Sequence, residues 1–209
     1  NAECQVALRW WLGLDTSGGS ICPFCPDTAL DPLGHHAATC RHGGDVVSWH
    51  NHLRDIFADF CRRAHLSVKV EVGSGLSRDH INSRPADILV QSWDRGKPAA
   101  FDVTVASPLT PAVLKEACVS AGAAAYVAEN RKHAANDTKC QELGWMCIPL
   151  AVEMYGNWGK EAFSHLASLL AVSQSSPKPK MVAEIYGRLN LSLVRSVARA
   201  IMGRELAHE

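Results

Sequence analysis

The segment from Ala86 to Ala106 constrains the fold more than any other. Two β-branched, apolar stretches, Ala86–Trp93 and Ala99–Ala106, flank the turn signal Trp93-Asp94-Arg95-Gly96-Lys97, so the pattern predicts a β-hairpin. Each strand carries one acidic residue. Asp87 follows Arg84-Pro85-Ala86, and Asp102 sits inside Phe101-Asp102-Val103-Thr104-Val105. Aspartate is depleted in strands and costly to bury unpaired. Two of them on adjacent strands point to carboxylates gathered around a hard cation such as Mg²⁺.

The flanking patterns extend this hairpin into a larger unit. Residues 3–14 show a short helical pattern ended by Gly13, and residues 16–44 are turn-rich. An amphipathic helix is predicted over 45–66, where Val46, Trp49, Leu53, Ile56, Phe57 and Phe60 recur at helical spacing. Val68–Val72 alternates like a strand. Pro108 and Pro111 end the second hairpin strand and open an Ala-rich helix over about 111–136. Trp145–Met154 reads as a further strand, which Pro149 either weakens or places at an edge.

Helical patterns follow at Asn157–Ala171 and at 181–206, joined by the Ser-, Pro- and Lys-rich linker Ser173–Lys180. The middle of the chain is therefore α-β-β-β-α-β, an α/β (α+β, mixed-sheet) arrangement. A right-handed crossover would make the last strand parallel to the second hairpin strand. Three segments are expected: 1–44, 45–172 and 173–209.

Lys+Arg and Asp+Glu both total 21, so net charge gives no support to nucleic-acid binding and any basic surface must be local. No apolar run approaches the roughly 20 residues needed to cross a bilayer. The chain opens at Asn1 without Met or a signal segment, as expected of a piece cut from something longer. Of eight cysteines, Cys4, Cys61, Cys118, Cys140 and Cys147 are scattered, the usage of a reducing compartment, nucleus or cytoplasm.

The other three are not scattered. Cys22-x-x-Cys25, then His35 or His36, then Cys40 offers three thiolates and one imidazole, the soft tetrahedral set of a closed structural Zn²⁺ site. His35 is preferred, because a four-residue gap to Cys40 is the zinc-knuckle spacing, and His36 is then a neighbour of the ligands. Four protein ligands leave no open position for catalysis.

Asp102 and Thr104 lie two apart on one strand and project from the same face. Glu71, closing the first strand, is placed to supply a third carboxylate or to orient a water. Such a group can hold Mg²⁺, polarise a phosphate and activate an attacking water.

At this point the chain resembles a known family. The element order with Pro-x-Asp and a later strand Asp resembles the PD-(D/E)XK, or restriction-endonuclease-like, nuclease fold. More narrowly, it resembles the endonuclease domain of site-specific non-LTR retrotransposon proteins, in which a Cys-Cys-His-Cys zinc knuckle precedes (Lys/Arg)-Pro-Asp and then Asp-Val-Thr. Here these are Cys22, Cys25, His35 and Cys40, then Arg84-Pro85-Ala86-Asp87, then Asp102-Val103-Thr104, over about residues 20–160. Two departures stand out. Ala86 is inserted between Pro and Asp, and Thr104 takes the place of the general motif's Lys.

In the retrotransposon subfamily a helix Lys takes over that role, which implies Lys132 here, with Lys115 as runner-up. The resemblance implies Mg²⁺ or Mn²⁺ as catalytic ion and double-stranded target DNA as substrate. It also implies the element's RNA and a reverse transcriptase region as partners, and work in the nucleus after cytoplasmic synthesis. Arg62, Arg63, Arg78 and Arg84, near the expected active edge, are the candidate DNA contacts. Arg188, Arg195 and Arg199 share one face of the last helix, a stripe able to track phosphates but read first as the solvated face of a packed helix. His50 and His52 flank Asn51 on the helix after the knuckle and either face DNA or, as the commoner fate, are partly buried or solvated helix residues. Tyr155-Gly156-Asn157-Trp158-Gly159 resembles a Gly/Trp-rich segment of the same family and is expected to pack structurally.

Overall fold

A computed structural model describes residues 1–16, 18–72, 86–172 and 178–205. Helix α1 (Ala2–Trp11) leads into a small antiparallel pair, β1 (Ile21–Cys22) and β2 (Cys25–Ala29), and a one-turn helix α2 (His35–Thr39). Then come α3 (Asp45–Arg63), β3 (Val68–Val72), β4 (Ala86–Asp94), β5 (Lys97–Ala106), α4 (Leu114–Ala117), α5 (Ala123–Glu142), β6 (Met146–Glu153), α6 (Lys160–Val172) and α7 (Lys178–Glu205).

The expected hairpin forms. Strands β4 and β5 run antiparallel, with Ile88 opposite Phe101 and Val90 opposite Ala99. Arg95 and Gly96 take φ of 49° and 82°, the two-residue turn whose twist matches the strands it joins. Strand β3 adds antiparallel to β4 and β6 adds parallel to β5, giving a mixed sheet in the order β3-β4-β5-β6. A parallel neighbour needs a crossover, which α4 and α5 supply. Strand β6 is an edge, where Pro149 can sit opposite Asp102 without breaking an interior ladder.

The Ala-rich helix departs from expectation. Instead of one helix over 111–136 there is a four-residue α4 and a 20-residue α5 beginning at Ala123. Gly122, at φ 84°, turns the chain into α5 in a conformation that L side chains rarely adopt. The carboxylate of Glu153, from the end of β6, accepts hydrogen bonds from Gly122 N (3.3 Å) and Ala124 N (2.8 Å). These bonds satisfy donors that a helix start leaves open, and place negative charge at the positive end of the helix. The start of α5 is thus fixed by a residue some thirty positions downstream. The turn-rich segment also holds more regular structure than its pattern predicts, and α7 already begins at Lys178, inside the expected linker. Residues 173–177 of that linker lie outside the described residues.

Helices cover the sheet on both faces. On one, Leu53, Phe57 and Phe60 of α3, Leu166 and Leu169 of α6, and Ile185, Leu189 and Leu193 of α7 close over Ile88, Val90, Phe101, Val103, Ile148, Leu150 and Val152. On the other, α5 lies against the strands through small residues: Ala125 and Ala128 meet Ala151, and Cys140 meets Ala86 and Ala100. Alanine lets the helix approach the sheet closely, and that side is where Asp102 points. A second apolar cluster joins Trp10, Leu30, Trp49, Val197 and Ile201, drawing residues of all three expected segments into one core. Among the described residues no helix is long and apolar enough to cross a membrane.

Candidate functional site

Continuing the Ile88–Phe101 register by one step sets Asp87 across from Asp102. Both side chains are largely withdrawn from solvent, at 22% and 10% exposure. Asp87 Oδ2 accepts the Val103 backbone N–H at 2.7 Å, and its Oδ1 lies 3.2 Å from His50 Nε2 on α3. On α5, Lys132 Nζ donates to Asp102 Oδ1 and Asn136 Nδ2 donates to Asp102 Oδ2, each at 2.7 Å. Lys132 and Asn136 are one helical turn apart, so both reach the same strand residue. Thr104, buried at 9%, lies two residues along β5 from Asp102.

The two carboxyls titrate in opposite directions. Burial pushes Asp102 up to about 6 against the attraction of Lys132, with the negative charge of Asp87 adding to the rise. Burial also works to raise Asp87, but the hydrogen bond and charge of His50, a hydrogen bond shared with Asp102 and the Val103 N–H together hold it below the ordinary carboxylate range. His50 in turn is raised, chiefly by its bond to Asp87. Like charges this close favour one ionised and one protonated partner, which a bound cation would relieve.

The sequence-predicted residues divide. Asp87, Asp102 and Lys132 converge. Lys115 is exposed on α4. Glu71 falls across β4 from Asp87 by register, but its backbone takes φ 55° and its carboxylate pairs with Arg54 on α3. Arg62 is exposed at the end of α3, and Arg63 forms a two-point pair with Glu184 at 2.6 and 3.0 Å. Arg78, Arg84 and Pro85 lie outside the described residues. In the last-helix stripe Arg188 pairs with Asp59, and Arg195 and Arg199 share Glu3, as suits a solvated face. Tyr155 stacks on Trp10 at 4.3 Å and Trp158 Nε1 donates to Asn190, so that segment packs.

Two residues at the acidic centre escaped the sequence reading. His50 stood out only as a helix histidine, and nothing local connects it to a strand some 37 residues on. Asn136 was findable. A polar residue one turn beyond Lys132, on the buried face of an Ala-rich helix, needs a partner.

A second polar centre lies in the N-terminal segment. Cys22, Cys25, His36 and Cys40 bring one ligand atom each to within 4.8 Å of one another, a cluster able to hold a zinc ion. Cys25 Sγ is 3.5 Å and Cys22 Sγ 3.9 Å from Cys40 Sγ. A tetrahedron of zinc–sulfur bonds of about 2.3 Å has edges of about 3.8 Å, which these distances bracket. The imidazole of the cluster is therefore that of His36 and not, as the spacing suggested, His35. The reason is helical geometry. His36 and the Cys40 that ends α2 are four apart and share a face, whereas His35 is rotated away and its Nδ1 lies 3.8 Å from Asp31. Asp31 also accepts the backbone N–H groups of both histidines at the start of α2.

Among the described residues His36 Nε2 is buried without a hydrogen-bond partner, as a ligand atom would be. The hydrogen bond to Cys40 pushes the Cys25 thiol up to about 11. Burial works to raise Cys40, but the contacts of its sulfur with His42, Cys25 and Arg204 bring it below the ordinary thiol range. Arg204, 1% exposed on α7, binds Asp45 at 2.7 Å and the carbonyl of His42 at 3.1 Å, tying this module to the last helix. The chain matches no protein-family model, and no curated protein is a significant match to it.

Proposed function

We propose that the chain is a metal-dependent DNA endonuclease domain of the PD-(D/E)XK kind, from a retroelement protein that nicks target DNA to prime reverse transcription. The observation that carries this reading is the convergence of Asp87, Asp102 and Lys132 at one end of a mixed sheet with antiparallel neighbours and one parallel edge strand. Asp87 and Asp102 are the residues that would hold Mg²⁺ or Mn²⁺, since paired carboxylates are the hard oxygen donors these ions take. The ion would supply Lewis-acid polarisation of the phosphate and a water of lowered pKa.

The chain's own residues do the rest. Lys132, now on Asp102, is within reach of a phosphate at the carboxylates and offsets its developing charge. Asn136 fixes the orientation of Asp102, and His50 does the same for Asp87 while holding it ionised. Cys22, Cys25, His36 and Cys40 bind a structural Zn²⁺ that orders the N-terminal module. Double-stranded DNA in the nucleus is the substrate. The element's RNA and its reverse transcriptase region are the partners.

The rival reading, a zinc-stabilised nucleic-acid-binding module without cleavage, draws on the saturation of Asp102 by Lys132 and Asn136. Plasmid nicking in Mg²⁺ separates the two. Cleavage should vanish in Asp102→Ala and fall about 100-fold in Lys132→Met. Nicking that survives Asp102→Ala would overturn the assigned site, and salt-sensitive DNA binding without any nicking would favour the rival.

A further inference from the structure

On the same helix that carries Lys132 and Asn136, the neighbouring residues His133 and Asp137 face the start of β6. Donor atoms of His133, Asp137 and Cys147 all lie within 4.8 Å of one another. His133 Nδ1 is 2.8 Å from Asp137 Oδ1, one helical turn along α5. The other ring nitrogen, Nε2, is 2.6 Å from Glu161 Oε2 on α6. This second contact distinguishes the cluster from an ordinary helix ion pair. Asp137 accepts the Nδ1–H in the metal-free state, and Glu161 accepts the Nε2–H, which holds the ring with Nδ1 toward Asp137 and Cys147. Ligand histidines are oriented in this way at metal centres. Cys140, buried one turn beyond Asn136, belongs to the small apolar cluster against which Cys147 packs.

We infer that His133 Nδ1, Asp137 and Cys147 Sγ form a second site for a borderline divalent cation of the Zn²⁺ class, separate from both the Cys22–Cys40 cluster and the Asp87–Asp102 pair. The donor set decides the class: nitrogen, sulfur and oxygen together suit Zn²⁺ or Co²⁺ and not Mg²⁺, which asks for oxygen alone. On binding, the Cys147 S–H proton and the His133 Nδ1–H proton both leave to solvent as sulfur and nitrogen take up the ion. The ion would clamp the C-terminal half of α5 to the start of β6. It thereby fixes the helix face that presents Lys132 and Asn136, a positioning role outside the bond-breaking step.

The test counts thiolate-bound ions. Metal-free protein in saturating Mg²⁺ is titrated with Co²⁺, and the sulfur-to-cobalt charge-transfer absorption is followed, since carboxylate-bound Co²⁺ does not contribute to it. Wild type should saturate at two equivalents. Cys147→Ser should saturate at one, and Asp137→Asn should bind its second equivalent about 10-fold or more weakly. Asp137 is half exposed, so its variant folds even if the Cys147 change does not, and far-UV circular dichroism checks both. Saturation of wild type at one equivalent would overturn the second site, as would an Asp137→Asn titration that matches wild type. Because nicking is not measured, the outcome stands apart from that of the endonuclease reading.

Discussion

On one face of the sheet Phe101 meets Phe57 at 4.9 Å and Trp93 at 4.8 Å, inside a dry layer of large side chains. Its neighbour on the same strand, Asp102, points to the other face and meets Lys132 and Asn136 across a layer built mainly from alanine and cysteine. One residue of offset separates an apolar anchor from a buried polar cluster. The apolar face anchors the strands. The thin face lets α5 approach close enough for short polar side chains to touch β5, and gains little from burial itself.

The largest expected effect follows from that division. Phe101→Ala removes a fully buried ring and should cost about 3–5 kcal/mol, read as a lower denaturation midpoint at unchanged slope. A loss below about 1 kcal/mol would mean that this face is not the anchor.

The opposite sign is expected one residue along. Asp102 has its folded pKa raised to about 6 from 3.8, so between those values the folded state binds more protons than the unfolded one. Stability is then fully present below the unfolded pKa and falls as pH rises through the folded pKa. Asp102→Asn removes that penalty. The amide still accepts from Lys132, and Asn136 can flip to accept from it. At about pH 8 the metal-free variant should be more stable by the order of 1–3 kcal/mol, with the pH slope between about 4 and 6 flattened. A variant less stable than wild type at that pH would show that Asp102 is a structural anchor and not a strained ligand.

What the sequence disclosed about the two faces follows the range of each signal. The hairpin was legible because alternation and a two-residue turn are local, and Asp94 and Lys97 bracket that turn as the pattern requires. Pro149 offered an edge position as one of two readings of β6, and the hairpin put Asp87 and Asp102 on adjacent strands, whereas Lys132 followed only from the family resemblance. Less local features were lost. The start of α5 depends on Glu153, the role of Asp87 on His50, and the seat of Glu71 on Arg54, all partners distant in sequence. The choice between His35 and His36 failed for another reason. The gap length between ligands carries no orientation, whereas a short helix decides by face which imidazole meets Cys40.

Glu153 offers the sharpest contrast with Asp102, because it is also a buried carboxylate on the α5 side of the molecule, 3% exposed. Asp102 is crowded by a second carboxyl. Glu153 instead accepts two backbone N–H groups at the start of α5 and the Asn157 amide at 2.9 Å. Its charge therefore complements the helix end. Glu153→Gln keeps one acceptor oxygen but turns an NH₂ group toward the remaining backbone donor. It should cost about 1 kcal/mol and speed amide exchange at Gly122 and Ala124. If that substitution stabilises the fold as Asp102→Asn is expected to, then burial alone governs these carboxylates and the difference between a helix cap and a crowded carboxyl pair carries no energetic weight.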